Sequence, residues 1–302
     1  MKLLVRKEIN AQKWDEVIAA SSAETLYPYS WYLDVTAENW SALVMDDYRF
    51  IMPLVWKKKY HLRYLYQPVF SQQLGVFGTE YIDPAILRKF INYVLKKYKF
   101  GVMNFNVKNL VGEDPSFEIY DRINYFLPLN KPYEELRKAY KENTNRNLKR
   151  SAAPNIKFDK NVGVNELVNF KQEHDVVTKS EVEYLRMRSV FVAVMEQSKG
   201  QIFGIRDEGK LLAAAFFAFS KTRIIYLMSV SSSQGKEQRA MFRIIDEVIR
   251  NYSGSSFTLD FEGSNIPSIA RFFGGFGGRP ELYQSLSFNR ISVPLILNKR
   301  YG

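Results

Sequence analysis

Two carboxylates stand one residue apart where a strand-like run gives way to a Phe- and Gly-rich segment. The run LDFEGSNIPSIARFFGGFGG, residues 259–278, contains Asp260 and Glu262. Residues two apart in a β-strand share one face, so this pair is predicted to point the same way, with Phe261 on the other side. A carboxylate at a strand end can accept the proton of an attacking amine. The pattern therefore predicts a general base here.

The two carboxylates differ as candidates for that base. Glu262 is the first choice because Gly263 follows it and lets the backbone open towards a ligand. Asp260 is the second choice, since its deeper position in the strand also suits it to anchoring neighbouring backbone groups. A structural alternative stays open for both, in which one carboxylate caps the next helix together with Ser264 or Asn265.

Composition excludes several other chemistries. The 302 residues include no cysteine, which excludes disulfides and thiolate catalysis and favours a reducing compartment. The two histidines, His61 and His174, lie far apart without metal-site spacing, so no metal is expected. The opening MKLLVRKEIN is too short in its apolar part for a signal peptide. The longest apolar run, LLAAAFFAF, has nine residues against the roughly 20 that cross a bilayer. We expect a cytoplasmic chain without a membrane span, and a buried strand at this run.

The net charge of +11 is concentrated in two windows. Residues 48–79 contain no acid and five basic residues, which are Arg49, Lys57, Lys58, Lys59 and Arg63. Residues 131–160 contain nine Lys or Arg and four Asp or Glu. Two interpretations stay open: solvated faces that keep the protein soluble, or an anion site for the phosphates of a ligand or of RNA.

The two halves of the chain show the same order of predicted elements. Each half begins with a hairpin, WSALVMDDYRFIMPLVW with its turn at 46–47 and QIFGIRDEGKLLAAAFFAF with its turn at 207–210. A third strand, an amphipathic helix and a further strand follow in each half. A repeat of this length indicates a duplicated domain, not a solenoid.

One difference between the halves bears on activity. Asn104 and Asn106 stand in the first half where Asp260 and Glu262 stand in the second. Amides do not take a proton near neutral pH, whereas carboxylates do. The second half is therefore predicted to be the active one, and the first half a degenerate copy.

The fold class predicted is mixed α/β, with two tandem domains that each have a twisted mixed sheet flanked by helices. The domains are placed at residues 1–130 and 131–302, and a helical segment at 131–150 links them. Pro132 begins this segment, and NTNRNLKRS continues it with three basic residues on one helical face. A linker of this regularity predicts packed halves.

The element order, followed by SNIPSIARFFGGFGG, resembles the acyltransferase core of the GNAT superfamily. The duplication, the linking NTNRNLKRS and the ending RFFGGFGGRPELYQSLSFNRISVPL are similar to the FemABX-like, or Fem-type, transferases in particular. The resemblance covers nearly the whole chain in layout. It implies two joined GNAT-like cores that move an amino acid from aminoacyl-tRNA onto a peptidoglycan-precursor amine.

The chain departs from the GNAT pattern at two places. A coenzyme A loop resembles Arg/Gln-x-x-Gly-x-Gly/Ala, whose backbone N–H groups cradle phosphates. Here SSSQGKEQRA has Gly235 at the Arg/Gln position and Gln238 at the Gly position, which weakens acetyl-CoA as the donor. The helix that often supplies a tyrosine to the leaving thiolate has Phe272 and Phe273 instead.

The resemblance implies further site residues. Backbone N–H groups at Ser229 and Val230 are expected to stabilise the oxyanion, and Tyr226 or Tyr283 could serve as the proton donor in place of the missing helix tyrosine. Candidates for binding a cofactor near the helix starts are Lys236, Arg239, Ala240 and Asn265. Candidates for binding substrate or phosphate are Arg146, Lys149, Arg150 and Gln67.

The function expected is acyl or aminoacyl transfer to an amine of a small molecule or a cell-wall precursor. No cofactor is expected to be bound permanently, and acyl-CoA or aminoacyl-tRNA is the expected co-substrate. The chain is expected to be a monomer or a weak dimer. The alternative is an inactive protein that keeps the GNAT fold and binds a ligand or RNA.

Overall fold

The structure is a computed structural model that describes residues 1–152, 155–263 and 265–291. Contacts divide the chain into two compact units. Unit 1 contains Met1–Ile123 together with the C-terminal residues from Glu281, and unit 2 is Asn124–Pro280. These units do not coincide with the predicted domains, because the last strand of the chain pairs with a strand of unit 1.

Unit 1 contains three helices and the strands of one mixed sheet. In chain order its elements are β1 (Lys2–Val5), α1 (Ala11–Ala20), α2 (Ser30–Thr36), β2 (Trp40–Met45), β3 (Phe50–Lys59), β4 (Leu62–Leu65), β5 (Phe77–Gly78), α3 (Pro84–Lys97) and β6 (Phe100–Asn104). The next strand, β7 (Glu118–Pro128), begins in unit 1 and ends in unit 2.

Unit 2 is built in the same way around a second sheet. Its elements are α4 (Tyr133–Lys138), α5 (Glu142–Arg150), β8 (Ile156–Asp159), α6 (Val164–His174), α7 (Glu181–Glu196), β9 (Gly200–Asp207), β10 (Lys210–Phe219), β11 (Arg223–Ser231), α8 (Ser233–Glu237), α9 (Ala240–Tyr252), β12 (Thr258–Asp260) and α10 (Pro267–Gly275). The last described strand is β13 (Arg279–Asn289), most of which lies in unit 1.

The sheet of unit 1 has the strand order β1-β2-β3-β4-β6-β13, with β5 beside β3. Strands β4 and β6 are parallel, and β13 pairs antiparallel with β6, Ser285 opposite Asn104. The β2–β3 turn lies where the sequence predicts it, with Asp46 and Asp47 in the left-handed region of φ that tight hairpin turns require. Helix α3 begins as predicted, because the Asp83 side chain accepts a hydrogen bond from a first-turn N–H.

The sheet of unit 2 has the order β7-β12-β11-β10-β9-β8. The β9–β10 hairpin turns at Glu208 and Gly209, both at positive φ, within the predicted turn. The run LLAAAFFAF lies in β10 and is almost entirely buried, as predicted for a core strand. Helix α9 packs against β9 and β10 with its apolar stripe inward.

Both units therefore contain a hairpin, a third strand, a helix and a further strand parallel to the third. In unit 1 these are β2, β3, β4, α3 and β6, and in unit 2 they are β9, β10, β11, α9 and β12. The mixed α/β class is confirmed, as are the two helices predicted in the linking segment, α4 and α5. That the halves arose by duplication stays a prediction. Among the described residues, no helix combines the length and apolar content needed to span a bilayer.

Gly235 packs helix α8 directly onto β10. A Cβ atom at this position would overlap the carbonyl oxygen of Leu212, a backbone atom that cannot rotate away. We expect Gly235→Ala to lower the free energy of unfolding by about 2 kcal/mol through overpacking. The matched control is Gly274→Ala in α10, where the nearest atom to the new Cβ is 4.0 Å away. Urea unfolding should show the control unchanged or slightly stabilised; equal losses for both variants would contradict this packing account.

Candidate active site

Strand β11 pairs with β12 only over its first three residues. The parallel ladder covers three residue pairs and ends with Ile225 beside Asp260. Beyond this point the chain of β12 follows its other neighbour, because the N–H of Phe261 donates to the carbonyl of Tyr125 in β7 at 2.9 Å. Strand β11 continues to Ser231 without β12 beside it. The two central strands therefore separate after Ile225.

A β-bulge in β11 lies at the same level. Opposite β10, Phe216 pairs with Met228 but Phe217 pairs with Tyr226, so Leu227 is the extra residue. A bulge bends its strand and increases its local twist. The bend follows the last pair with β12 by two residues, so it directs β11 away at the position where the separation begins.

A pocket of about 420 Å³ opens where the strands separate. Its walls come from β11, from the chain just after β12, and from α10. The lining residues are Tyr226, Leu227, Met228, Ser229, Phe261, Glu262, Gly263, Ser268, Ile269, Phe272 and Phe273. Three of the predicted site residues, Glu262, Tyr226 and Ser229, line this pocket, whereas Val230, Asp260 and Asn265 do not.

Glu262 reaches this pocket from a turn and not from a strand. Strand β12 ends at Asp260, and both Glu262 and Gly263 have left-handed backbones, with φ of 54° and 42°. The predicted strand alternation through Glu262 is therefore wrong, because the pleat ends two residues earlier. Gly263 does allow the backbone to turn towards the opening, as expected from its lack of a Cβ.

Asp260 is buried and engaged on both carboxylate oxygens. Its side chain is 2% exposed, and Oδ2 lies 2.7 Å from Nη1 of Arg223. Oδ1 accepts a hydrogen bond from the backbone N–H of Glu262 at 3.0 Å. This is the anchoring role that the sequence left open, and it fixes the turn that carries Glu262. Helix α10 has Ile266 at its N-cap without a capping bond from that side chain, and Ser264 lies outside the described residues, so the capping alternative stays open.

Tyr226 brings a hydroxyl into the same pocket. Burial raises the pKa of Tyr226 above its usual value, and a hydrogen bond with Ser229 opposes the rise only in part. The phenol therefore keeps its proton throughout the neutral range. It can donate that proton or a hydrogen bond, and it cannot serve as a base.

The two predicted oxyanion donors face opposite edges of β11. The N–H of Ser232 donates to Leu212 of β10. Residues of an antiparallel pair alternate between bonded and non-bonded positions, so the N–H of Val230 also points to β10. The N–H of Ser229 points to the other edge, where β12 has departed. Ser229 is therefore the donor available to a ligand in the pocket.

The segment expected to cradle phosphates is folded into a short helix. The hydroxyl of Ser232 caps α8 by accepting a bond from the N–H of Gly235 at 3.1 Å. Gly235 is buried against β10 and offers no open nest. Lys236 is exposed, and Arg239 has a left-handed backbone directly before the buried Ala240 that begins α9. These residues stay candidates for binding an anion at the start of α9.

Three basic residues of the linking segment lie away from the pocket. Arg146, Lys149 and Arg150 are exposed on α5, and none of them is among the lining residues. Lys149 instead lines a groove of about 680 Å³ between α4 and α9. Their role in binding substrate or phosphate stays a prediction. Among the described residues, no group of three or more His, Asp or Glu side chains comes close enough to hold a metal.

The side chain of Gln67 forms hydrogen bonds to backbone groups of unit 1. Its amide donates to the carbonyl of Ser71 and accepts from the N–H of Asn104 at 3.0 Å. The segment after β4 then runs along β6, where the N–H of Leu74 donates to Asn104 at 2.9 Å and Leu74 forms a bridge to Phe105. The segment after β4 therefore occupies the position beside β6 that corresponds to the pocket beside β12 in unit 2.

Sequence reasoning missed two contributors to the site. Arg223, the partner of Asp260, shows no motif of its own, although a shift of 160 residues aligns it with Arg63. Residues of α10 form one wall, and Ser268 supplies a hydroxyl there that the sequence analysis did not select. A search for polar residues at helical spacing in the segment after β12 could have found Ser268.

Comparison with known proteins establishes the fold. No protein-family model and no curated protein matches the chain. Among solved structures it is similar to FemX, with a TM-score of 0.63 and 12% identity over 94% of this chain and 97% of that one. It is also similar to a tandem GNAT protein from the clavulanic acid biosynthesis pathway, with a TM-score of 0.57 and 11% identity over 95% and 98%. The chain is similar as well to L-PGS from Bacillus licheniformis, with a TM-score of 0.52 and 13% identity over 94% of this chain and 93% of that one.

These likenesses confirm the GNAT-like, FemABX-type fold predicted from the sequence. Identities this low establish architecture and not chemistry, because one fold supports many reactions. The individual site residues stay predictions.

The Arg223–Asp260 ion pair should stabilise unit 2 strongly. Removal of the guanidinium leaves a charged carboxylate that is almost fully buried, which typically costs about 3 kcal/mol or more. We expect Arg223→Met to lower the free energy of unfolding by that amount. The control is Arg146→Met on the exposed face of α5, with a change within about 0.5 kcal/mol. Chemical denaturation measures both, and a loss at Arg223 no larger than at Arg146 would show that the pair does not anchor the turn.

Proposed function

We propose that unit 2 is an acyl or aminoacyl transferase that acts on an amine. The observation that carries the proposal is the pocket between β11 and β12, because three of the residues that line it carry groups of different chemistry. They are Glu262 with a carboxylate, Tyr226 with a hydroxyl and Ser229 with a backbone N–H. A base, an acid and an oxyanion donor are the groups that acyl transfer to an amine uses.

The reaction proceeds by attack of a neutral amine on the carbonyl carbon of an ester or thioester. A C–N bond forms, and the carbonyl oxygen becomes an oxyanion that accepts a hydrogen bond from the N–H of Ser229. Glu262 takes the amine proton directly or through a water molecule. The intermediate collapses with cleavage of the C–S or C–O bond, and the leaving sulfur or oxygen takes up the proton that Tyr226 donates. Proton transfer from Glu262 to the tyrosinate restores both groups.

Positioning supports Glu262 over Asp260 as the base. Glu262 lines the pocket, whereas Asp260 lies beneath it with both oxygens bonded to Arg223 and to the backbone. The oxygens of Asp260 are thus already engaged with groups of the protein, and neither is positioned to take a proton from an amine in the pocket. Asp260 is thus a positioning residue that acts through the turn it holds.

The donor is either an acyl-CoA or an aminoacyl-tRNA, used as a co-substrate and not bound permanently. The folded α8 segment leaves less room for a coenzyme A pyrophosphate than an open loop would, which supports an aminoacyl-tRNA donor. Arg239 directly precedes α9 and Lys236 lies four residues before it, at the helix start where phosphate groups would bind. The acceptor is an amine of a small molecule or a cell-wall precursor, and the reaction takes place in the cytoplasm.

A second candidate is an inactive protein that binds RNA, and the β3–β4 hairpin favours it. Lys58 lies directly opposite Arg63 in the hairpin, a pairing of like charges that an anion between them would relieve. Arg63 lies 4.5 Å from the ring of Trp56, and Tyr60 at the tip is 75% exposed. Cations interleaved with aromatic rings suit single-stranded RNA. Salt-sensitive RNA binding without turnover would select this function.

Glu262→Gln tests the transferase directly. The amide keeps the shape of the side chain but cannot take the amine proton, so we expect turnover to fall by about 10²–10⁴-fold. Turnover is to be measured with a panel of acyl-CoAs and charged tRNAs after a thermal-shift screen for the donor. Glu208→Gln in the β9–β10 turn is the control and should keep full activity.

The double variant Glu262→Gln with Asp260→Asn separates the two carboxylates. If activity survives in the double variant, neither carboxylate is the base and the proposed chemistry fails. If Asp260→Asn alone lowers the unfolding midpoint while the turnover of the folded protein stays close to that of wild type, the anchoring role of Asp260 is supported.

A further inference from the structure

Exposed apolar side chains are concentrated on one part of unit 2. Eighteen large hydrophobic side chains are exposed among the described residues, and six of them lie within residues 176–195. These six are Val176, Val177, Val182, Leu185, Val192 and Met195. Surface apolar residues are ordinary when scattered, but a contiguous group marks an interaction surface.

Helix α7 carries four of the six on its outer side. Its inner side packs into unit 2 through residues that are buried, among them Val190, Phe191 and Val194. On the outer side, Leu185 and Val192 are seven residues apart, which places them on one line along the helix. A surface helix with a single partner is polar on its outer side. Helix α7 instead exposes four large apolar side chains among its polar ones, so its outer side, hereafter the α7 outer face, is suited to a second contact.

The charges around this face do not suit an anionic membrane. Residues 173–199 contain five acids and four bases, in a chain whose net charge is +11. An interfacial helix that binds anionic lipid instead carries an excess of Lys and Arg on its polar side. The α7 outer face is therefore one of the less basic surfaces of a strongly basic protein, and its mixed charges suit a partner of mixed charge.

The order of these charges is self-complementary. Glu181 lies four residues before Leu185 and Arg188 lies three residues after it, on the same edge of the helix, where the half-buried Arg188 also donates from Nη2 to Asn169 of α6 at 3.0 Å. When two copies of α7 pack antiparallel about a two-fold axis near Leu185, Glu181 comes opposite the partner's Arg188, and Arg188 comes opposite the partner's Glu181. One contact surface then gains two ion pairs by symmetry.

The small side chain of Ser189 allows a second helix to approach α7 closely. Ser189 lies beside Leu185 and Val192 on the outer face, and its hydroxyl donates to the carbonyl of Leu185 at 3.0 Å. The hydroxyl can therefore be covered by a neighbour without losing its hydrogen bond. Small side chains between larger apolar ones leave hollows that a facing Leu or Val can fill.

We infer that the α7 outer face is a homodimer interface, in which α7 packs antiparallel on α7 of a second copy. The contact is a symmetric one, with Leu185 at its centre and the Glu181–Arg188 pairs on its edge. It involves unit 2 alone and does not depend on the proposed transferase chemistry.

Sedimentation equilibrium on the full chain tests the interface. We expect wild type to dimerise and Leu185→Glu to raise the dissociation constant by at least about 100-fold, since each contact then buries two carboxylates in apolar surroundings. The matched control is Leu282→Glu, since Leu282 is 60% exposed and Leu185 is 55% exposed. The control should dimerise like wild type, and both variants should keep the wild-type unfolding midpoint.

Charge reversal supplies a test that misfolding cannot imitate. Glu181→Arg and Arg188→Glu should each weaken the homodimer, because each places like charges opposite each other. A mixture of the two single variants should form heterodimers, and the double variant Glu181→Arg with Arg188→Glu should dimerise again. A monomeric wild type, or a dimer unaffected by these changes, would overturn the inference. Binding of the face to phosphatidylglycerol vesicles with no self-association would also overturn it and assign a lipid surface.

Discussion

The candidate site depends on one choice of hydrogen-bond partner. At Phe261 the chain of β12 keeps its bond to β7 and gives up its pairing with β11, while the bulge at Leu227 bends β11 away. That divergence leaves the Ser229 edge of β11 facing a pocket in place of a strand. The buried Arg223–Asp260 pair then fixes the turn that places Glu262 at the mouth. Without the divergence, neither the oxyanion donor nor the base would have access to a ligand.

The contrast between the two units has a chemical cause. In unit 1 the Asn106 amide donates to the carbonyls of Leu74 and Val76, and the Asn104 amide donates to Gln72. These bonds hold a returning segment of chain against the end of β6. A carboxylate has no proton to donate and would leave those buried carbonyls unpaired. Unit 1, which has asparagines at these two places, therefore has chain packed beside its strand, whereas unit 2, which has Asp260 and Glu262, has a pocket there.

Local patterns predicted the elements well, and the site in part. Turn residues predicted both hairpins, and the apolar run LLAAAFFAF predicted a buried strand. Glu262, chosen at a strand end, and Ser229, implied by the resemblance, line one pocket, and Tyr226 lines it although no sequence pattern placed it there. The pairing of β13 with β6 was missed, because it joins residues almost 200 apart in the chain and leaves no local signal. The bulge and the left-handed turn at Glu262 were missed because they are backbone features that side-chain patterns do not encode.

Residue-resolved amide hydrogen exchange in the free protein tests the divergence most directly, since it requires no knowledge of the donor. The N–H of Val230 points to β10 and should exchange about 100-fold or more slowly than that of Ser229, which faces the opening. Comparable protection at both amides would mean that a strand or another group covers that edge of β11. The pocket would then be closed in solution, and the transferase site would lose its oxyanion donor.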